Sequence, residues 1–439
     1  MNTQILSIRR QLYAVTRCMF ILFLLAGFVW ATPVEYASAK GGGDFMAGEV
    51  IVKLDPLAGA TIDDINGTHN TTTLKALEPG SGIYLLELPP GDDPMKQAEV
   101  MAGYPRLSFA EPNFITHPPE ANPRSISRWG GLDPTPYFVQ YAIDQLNLTE
   151  AWAINRGAGS LVAVIDTGVQ LAHPALVSSL TSSGYDFVDN DNVPEDEFPG
   201  LDSDGDGVAD EAAGHGTHVA GIVHLVAPDA KIMPLRVLDS NGDGDIFTVA
   251  QAMIYAIQNH ADVINLSLGT PDKSDLLKDV VSEATHNNVV VVAAAGNLNS
   301  KLPQYPAANN CALSVTSVGP TGFKSNFSNF DSGVDFAASG ESIFSSFPID
   351  GYAYWSGTSM ATPFISGQVA LLHSVDPTLN PRDLALFMGE TAHSIDTLNP
   401  QYTGKLGMGL VDIGGSLELL VGGTVPSANH GVIGMSCVK

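Results

Sequence analysis

From Val162 to Val318 the chain repeats one alternation: a short, largely apolar run of strand length, then a longer stretch whose apolar residues recur at helical spacing. The runs are Val162–Ile165, Ile232–Leu238, Val263–Leu268, Val289–Ala295 and Leu313–Val318, and helices are expected after His215, over Phe247–Asn259 and over Ser274–His286. A strand apolar at consecutive positions has to be covered on both faces, and strands separated by helices join as parallel neighbours. The pattern therefore predicts an α/β fold, a mainly parallel sheet with helices on both faces. A chain of 439 residues is too long for one ordinary domain. Residues 44–118 read as a separate small α+β unit, with strands at Glu49–Leu54 and Gly82–Leu88, a helix over Asp93–Ala102 and a last strand, Leu107–Asn113, running into an extended segment.

Three stretches carry chemistry. Val162-Ala163-Val164-Ile165-Asp166-Thr167-Gly168 ends a buried strand in a carboxylate, and the C-terminal end of such a strand is where open α/β sheets place their sites. Gly214-His215-Gly216-Thr217-His218 opens an apolar helix with a histidine between two glycines. Gly357-Thr358-Ser359-Met360-Ala361-Thr362-Pro363 precedes the apolar run Phe364–Leu372, which sets a serine at a helix N-terminus, where free N–H groups and the helix dipole favour an anion. Each alone has an ordinary reading, as a helix cap or a structural histidine. Together, in the order Asp, His, Ser, they resemble the subtilisin-like serine proteases, the subtilase family of S8 peptidases.

That resemblance implies roles. Ser359 is the expected nucleophile, His215 the general base and then acid, and Asp166 the carboxylate that fixes the imidazole, while His218 packs. Asn297, in Val291–Asn297, resembles the family's oxyanion donor, acting with the N–H of Ser359. Ser267-Leu268-Gly269 resembles the edge that pairs with an extended peptide, and Asp239–Ile246 the loop lining a more distant subsite. Leu298 and the absence of an acid near the primary pocket argue against a strict basic preference. Gln304 stands where the family often has glycine at the pocket floor, which speaks against large aromatic side chains. Phe364 and Ile365 replace a usual His-Val and are expected to alter packing alone. Residues 44–118 resemble the inhibitory prodomain, whose closing segment leads into the site it blocks. The expected layout is a signal peptide at 1–39, the prodomain at 44–118, a linker at 119–136 that is cut on maturation, the catalytic domain at 137–420 and a tail at 421–439. The Pro-, Gly-, Ser- and Arg-rich stretch from His117 to Pro136 reads as exposed.

Arg9, Arg10 and Arg17 precede an apolar run, Cys18–Ala31, too short for a full membrane span, with Ala37-Ser38-Ala39 and Val29-Trp30-Ala31 as competing cleavage signals. A short membrane anchor is the alternative. Export would leave Cys311 and Cys437 as the mature cysteines, able to pair in an oxidising compartment. A net charge of −27 argues against nucleic acid and anionic membranes as partners. The mature form is expected to be a secreted monomer, free of the membrane, with protein or peptide substrates and its own prodomain as intramolecular inhibitor. Between Asp166 and His215 an insertion carries Asp202, Asp204, Asp206 and Asp210 at loop positions 1, 3, 5 and 9, with Gly207 at 6 and the carbonyl of Val208 at 7. Calcium favours such an oxygen set, although Ala213 stands where a full EF-hand has glutamate; an acidic exposed loop is the alternative. Structural calcium is the one expected cofactor, and no organic one is. The competing functional reading is a catalytically silent subtilase fold that binds peptides or partners.

Overall fold

A computed structural model of the chain describes residues 36–37, 44–120, 128–202, 205, 207–423 and 426. The small N-terminal unit contains β1 (Tyr36–Ala37), β2 (Phe45–Leu54), α1 (Ile62–His69), β3 (Thr72–Ala76), β4 (Ile83–Glu87), α2 (Pro94–Ala102) and β5 (Leu107–Thr116). Its antiparallel sheet runs β5-β2-β4-β3, with β1 on β2. Period-two alternation divides its strands: Val50, Val52 and Leu86 face a core closed by α1 and α2, whereas Ile51, Leu85 and Phe109 face the larger domain. Asp93 caps α2 through the Met95 and Lys96 N–H groups, with Pro94 at the first helical position.

The larger unit continues with β6 (Arg128–Gly131), α3 (Tyr141–Gln145), α4 (Leu148–Ile154), β7 (Leu161–Asp166), β8 (Tyr185–Asp186), α5 (His215–Val226), β9 (Lys231–Arg236), β10 (Gly244–Asp245), α6 (Ile246–Gln258), β11 (Val263–Leu266), α7 (Asp275–His286), β12 (Val290–Ala294), β13 (Ala312–Val318), β14 (Phe336–Ser339), β15 (Ile343–Phe347), β16 (Gly351–Trp355), α8 (Thr358–Val375), α9 (Pro381–Thr391) and α10 (Ile413–Val421). Seven strands form one parallel sheet in the order β14-β13-β12-β11-β7-β9-β8. The apolar runs are double-sided, as expected. Val162, Val164, Val290 and Val292 pack with α5 and α8, and Ala163, Ile165, Val291 and Ala293 with α6 and α7. The sheet of the small unit lies on the outer side of α6 and α7, so its Ile51 and Phe114 share a core with Phe247 and Leu277.

Two carboxylate or amide groups of the small unit cap these helices. Glu111 accepts from Ser274 Oγ, Asp275 N and Leu276 N at the start of α7, and Asn113 Oδ1 from Phe247 N in α6. The expected exposed linker is corrected at its first end, while residues 128–130 and 132–135 are exposed as expected. Pro118, Pro119 and Glu120 are buried, and Arg128–Gly131 is a strand on β16, because the chain here follows a groove and then a sheet edge. Residues 1–35, Cys437 and the tail beyond 426 lie outside the described residues; Cys311 is buried and disulfide-bonded.

Candidate active site

Asp166, the last residue of β7, sits at the C-terminal end of a strand flanked by β9 and β11. His215 opens α5 after Gly214, whose φ of +90° is a conformation that favours glycine. His215 Nδ1 donates to Asp166 Oδ1 at 2.7 Å, and both side chains are fully buried. The backbone around them is tied by a residue the sequence reading missed. Asp196, in the insertion, is buried and accepts from Gly214 N (2.8 Å), Thr217 N (3.1 Å) and Thr217 Oγ1 (2.6 Å), and from Thr167 Oγ1 at 3.3 Å. It thus links the strand end that carries Asp166 to the helix start that carries His215. Burial pushes the Asp196 carboxyl up to about 7 against these hydrogen bonds. His218 packs, as expected, with Nε2 3.1 Å from the carbonyls of Ile343 and Ala353, and burial drives its pKa down to about 3.

Ser359 is the second residue of α8, with its N–H at the helix N-terminus. Asn297 follows β12 by way of Gly296. Its Oδ1 accepts from Thr358 N (3.0 Å) and Thr358 Oγ1 (2.9 Å), and Thr358 Oγ1 accepts in turn from Gly296 N. Because two donors claim the amide oxygen, the NH2 group turns into the cleft. There Asn297 Nδ2 donates to Glu120 Oε1 at 2.9 Å, and Ser359 N donates to the same oxygen at 3.3 Å. Ser359 Oγ donates to Glu120 Oε2 at 2.5 Å, and His215 Nε2 lies 3.3 Å from that oxygen. Burial alone would depress the His215 pKa, but Asp166 and Glu120 more than offset this and push it up to about 10. The structure brings Asp166, His215, Asn297 and Ser359 to one point, and a glutamate side chain occupies that point.

The chain reaches it as an extended strand. Thr116 and Ile115 pair antiparallel with Gly244 and Asp245, and His117 exchanges two main-chain hydrogen bonds with Gly269, of 3.1 and 2.9 Å. Ser267 Oγ donates to Ser359 O, and the Ser267 carbonyl accepts from Ser359 Oγ at 3.1 Å, while Leu268 is buried. Gln304 lies across the pocket beside this strand. A side chain on Gly269 would come within 2.7 Å of Gln304 Cγ, and one on Gly296 would collide with Gln304 Oε1. Leu298, Leu302 and Asn329 complete the wall.

The acidic loop is only partly described, since Asp204 and Asp206 lie outside the described residues. Asp202 accepts from the Gly205 and Gly207 N–H groups, and Asp210 Oδ2 from Gly200 N. No group of three or more metal-ligating side chains is gathered among the described residues. Asp210 Oδ1 is buried with no hydrogen-bond partner among them.

The chain is similar to known proteins in sequence and fold. Residues 157–409 match the Subtilase family of S8 peptidases, and residues 31–113 the fervidolysin N-terminal prodomain family. Thermitase of Thermoactinomyces vulgaris is 41% identical over 251 residues, covering 54% of this chain and 84% of thermitase. The thermophilic serine proteinase of Bacillus sp. (strain AK1) is 38% identical over 271 residues, covering 62% of this chain and 64% of that protein. The crystal structure of fervidolysin from Fervidobacterium pennivorans, described as a keratinolytic enzyme related to subtilisin, superposes with a TM-score of 0.70 over 89% of this chain and 63% of that one. Its sequence identity of 24% makes that a likeness of fold. With the parallel sheet, the small unit that caps α6 and α7 and these matches, the chain belongs to the subtilase family, as a subtilisin-like serine protease with an N-terminal prodomain.

Proposed function

We propose that this protein is a secreted endopeptidase, made as a self-processing zymogen, that cleaves peptide bonds through Asp166, His215 and Ser359 and an acyl-enzyme. The observation that carries the reading is the convergence on Glu120: nucleophile, base and both oxyanion donors meet on one carboxylate. A peptide carbonyl in its place would lie beside Ser359 Oγ, with its oxygen facing Asn297 Nδ2 and Ser359 N–H. Ser359 would attack as its proton passes to His215 Nε2, and Asp166 would stabilise the imidazolium through Nδ1–H. The two donors would take up the charge that develops on the oxygen. His215 would then protonate the departing amine, and water, activated by the same base, would release the acyl group. This geometry gives no support to a silent binding module.

Substrate would replace Ile115–His117 as the strand between Gly244–Asp245 and Gly269, with Ser267–Gly269 as its edge. Gln304 would shorten the primary pocket and favour small or polar side chains. The Asp202–Asp210 loop is the proposed calcium site, with Asp202, Asp204, Asp206, Asp210 and the Val208 carbonyl as ligands; the buried Asp210 Oδ1, without a hydrogen-bond partner among the described residues, supports it. For export, the strand at Tyr36–Ala37 and a prodomain match beginning at residue 31 favour the cleavage signal at Ala31 over that at Ala39. Among the described residues no helix is long and apolar enough to cross a membrane. The test is expression of the full chain beside Ser359→Ala. Wild type is expected to shorten by self-cleavage within the linker 119–136, and the variant to stay full-length. A wild type that also stays full-length in calcium would overturn self-processing.

A further inference from the structure

We infer that Thr116–Glu120 is a resident inhibitor whose blocking group is the side-chain carboxylate of Glu120, an anion bound where a reaction would develop its oxyanion. This rests on the catalytic reading above and adds to it the chemical group that holds the site closed.

The main-chain register shows why a side chain does the blocking. His117 stands opposite Gly269 in an antiparallel pair, so the strand, continued, sets Pro119 opposite Ser267. Proline has no N–H to give. The Ser267 carbonyl, which a substrate residue at that place would engage, instead accepts the hydroxyl of Ser359. The strand therefore lacks the last main-chain bond that would seat a scissile carbonyl. Glu120 fills the gap with a group that cannot react, because a resonance-stabilised carboxylate is a poor electrophile for a serine.

The carboxylate uses up the whole constellation. Oε1 takes both oxyanion donors, and Oε2 takes the Ser359 hydroxyl and stands at ion-pair distance from His215 Nε2. The Ser359 proton thus points at Glu120 and Ser267 and not at its base. The groups facing His215 are Asp166, Glu120, His218 and the edge-on ring of Trp355. Two carboxylates against one imidazole hold it as imidazolium, and an imidazolium cannot accept the Ser359 proton. Blocking and disarming come from one side chain.

The surroundings are shaped to receive it. Gly357 is extended, so its backbone does not demand glycine. A Cβ there would overlap the Glu120 carboxylate, so the missing side chain makes room for it. Pro118 and Pro119, both buried, restrict the entering chain and lower the entropy lost in placing the plug.

The experiment follows phosphonylation of Ser359 by a fluorophosphonate in full-length wild type, Glu120→Ala and Glu120→Gln, with intact mass separating uncut from cut chains at each time. Glutamine keeps the shape of the plug and removes its charge, so it guards against a fold defect in the alanine variant. Uncut wild type is expected to resist labelling until cleavage. Uncut Glu120→Ala and Glu120→Gln should label about 10–100-fold faster, the loss of one or two charge-assisted hydrogen bonds. Variants already cut at the first time point, when wild type is not, support the same conclusion. Uncut variants as slow as uncut wild type, beside cut wild type that labels, would overturn the role of Glu120 and leave the protease reading standing. No labelling in any form, cut or uncut, would overturn both.

Discussion

Thr358→Val separates the holding of Asn297 from the donation it makes. Valine matches threonine in shape and lacks the hydroxyl that donates to Asn297 Oδ1 at 2.9 Å and accepts from Gly296 N at 3.2 Å. The buried Gly296 N–H is left without an acceptor, at a cost of about 1–3 kcal/mol, and Oδ1 loses one of its two donors, about 1 kcal/mol more. The sum, about 2–4 kcal/mol, corresponds to a fall in Tm of roughly 5–10 °C for a domain of this size. The chemical effect is separate. With only Thr358 N on Oδ1, the amide spends part of its time turned over, with its oxygen facing the charge it should stabilise. We expect kcat on a peptide anilide to fall about 10-fold with KM little changed, because the interaction forms in the transition state. Outright loss of the donor in Asn297→Ala sets the ceiling, about 10²–10³-fold; that magnitude is the one known for subtilisin, a member of the same family, and was not worked out from this structure. Thr358→Ser keeps both hydrogen bonds and should restore kcat. A valine variant with kcat within about twofold of wild type and an unchanged Tm would refute the argument that Thr358 orients the amide.

Other outcomes follow from the same geometry. Burial lifts the Glu111 carboxyl to about 7 despite its three hydrogen bonds to the start of α7. A pKa raised by docking gives stability that is present below the ordinary value of 4.5 and lost as pH rises through about 7. In a Ser359→Ala background, attack on the prodomain by an added protease should therefore quicken between pH 5 and pH 8, and Glu111→Gln should flatten that rise; equal slopes would count against it. Gln304→Gly should open the primary pocket and raise kcat/KM for phenylalanine over alanine at the residue before the scissile bond by about 10-fold or more, measured on a matched peptide pair. Chelation of calcium should lower the Tm of wild type by several degrees and leave Asp202→Asn/Asp210→Asn unaffected; an equal fall in both would place any calcium elsewhere.

Much of this arrangement is legible in the sequence because it is local. The double-sided apolar runs at Val162–Ile165 and Val289–Ala295 dictate buried parallel strands, and His215 between two glycines and Ser359 two residues after Gly357 mark helix starts. Expected ends lie within one or two residues of those found for α6, α7 and β13. What escaped notice depends on distant contacts. Glu120 sits in a proline-rich stretch whose composition reads as a linker, and its partner Ser359 is 239 residues away. Asp196 is one acid among many in an insertion, and only the fold shows that its carboxylate faces Gly214 and Thr217. The one local sign of Glu120 was the pair Pro118-Pro119, too stiff for a linker meant to be mobile. The strand β6 was missed because it is short and its pairing with β16 lies more than 200 residues along the chain.

The most direct test of the central claim is to map the fluorophosphonate adduct on the matured wild-type chain by peptide mass spectrometry, beside His215→Ala and Ser359→Ala. The account predicts one adduct, on Ser359, greatly slowed in His215→Ala and absent in Ser359→Ala. An adduct on a different serine, or peptidase activity that survives Ser359→Ala, would contradict it.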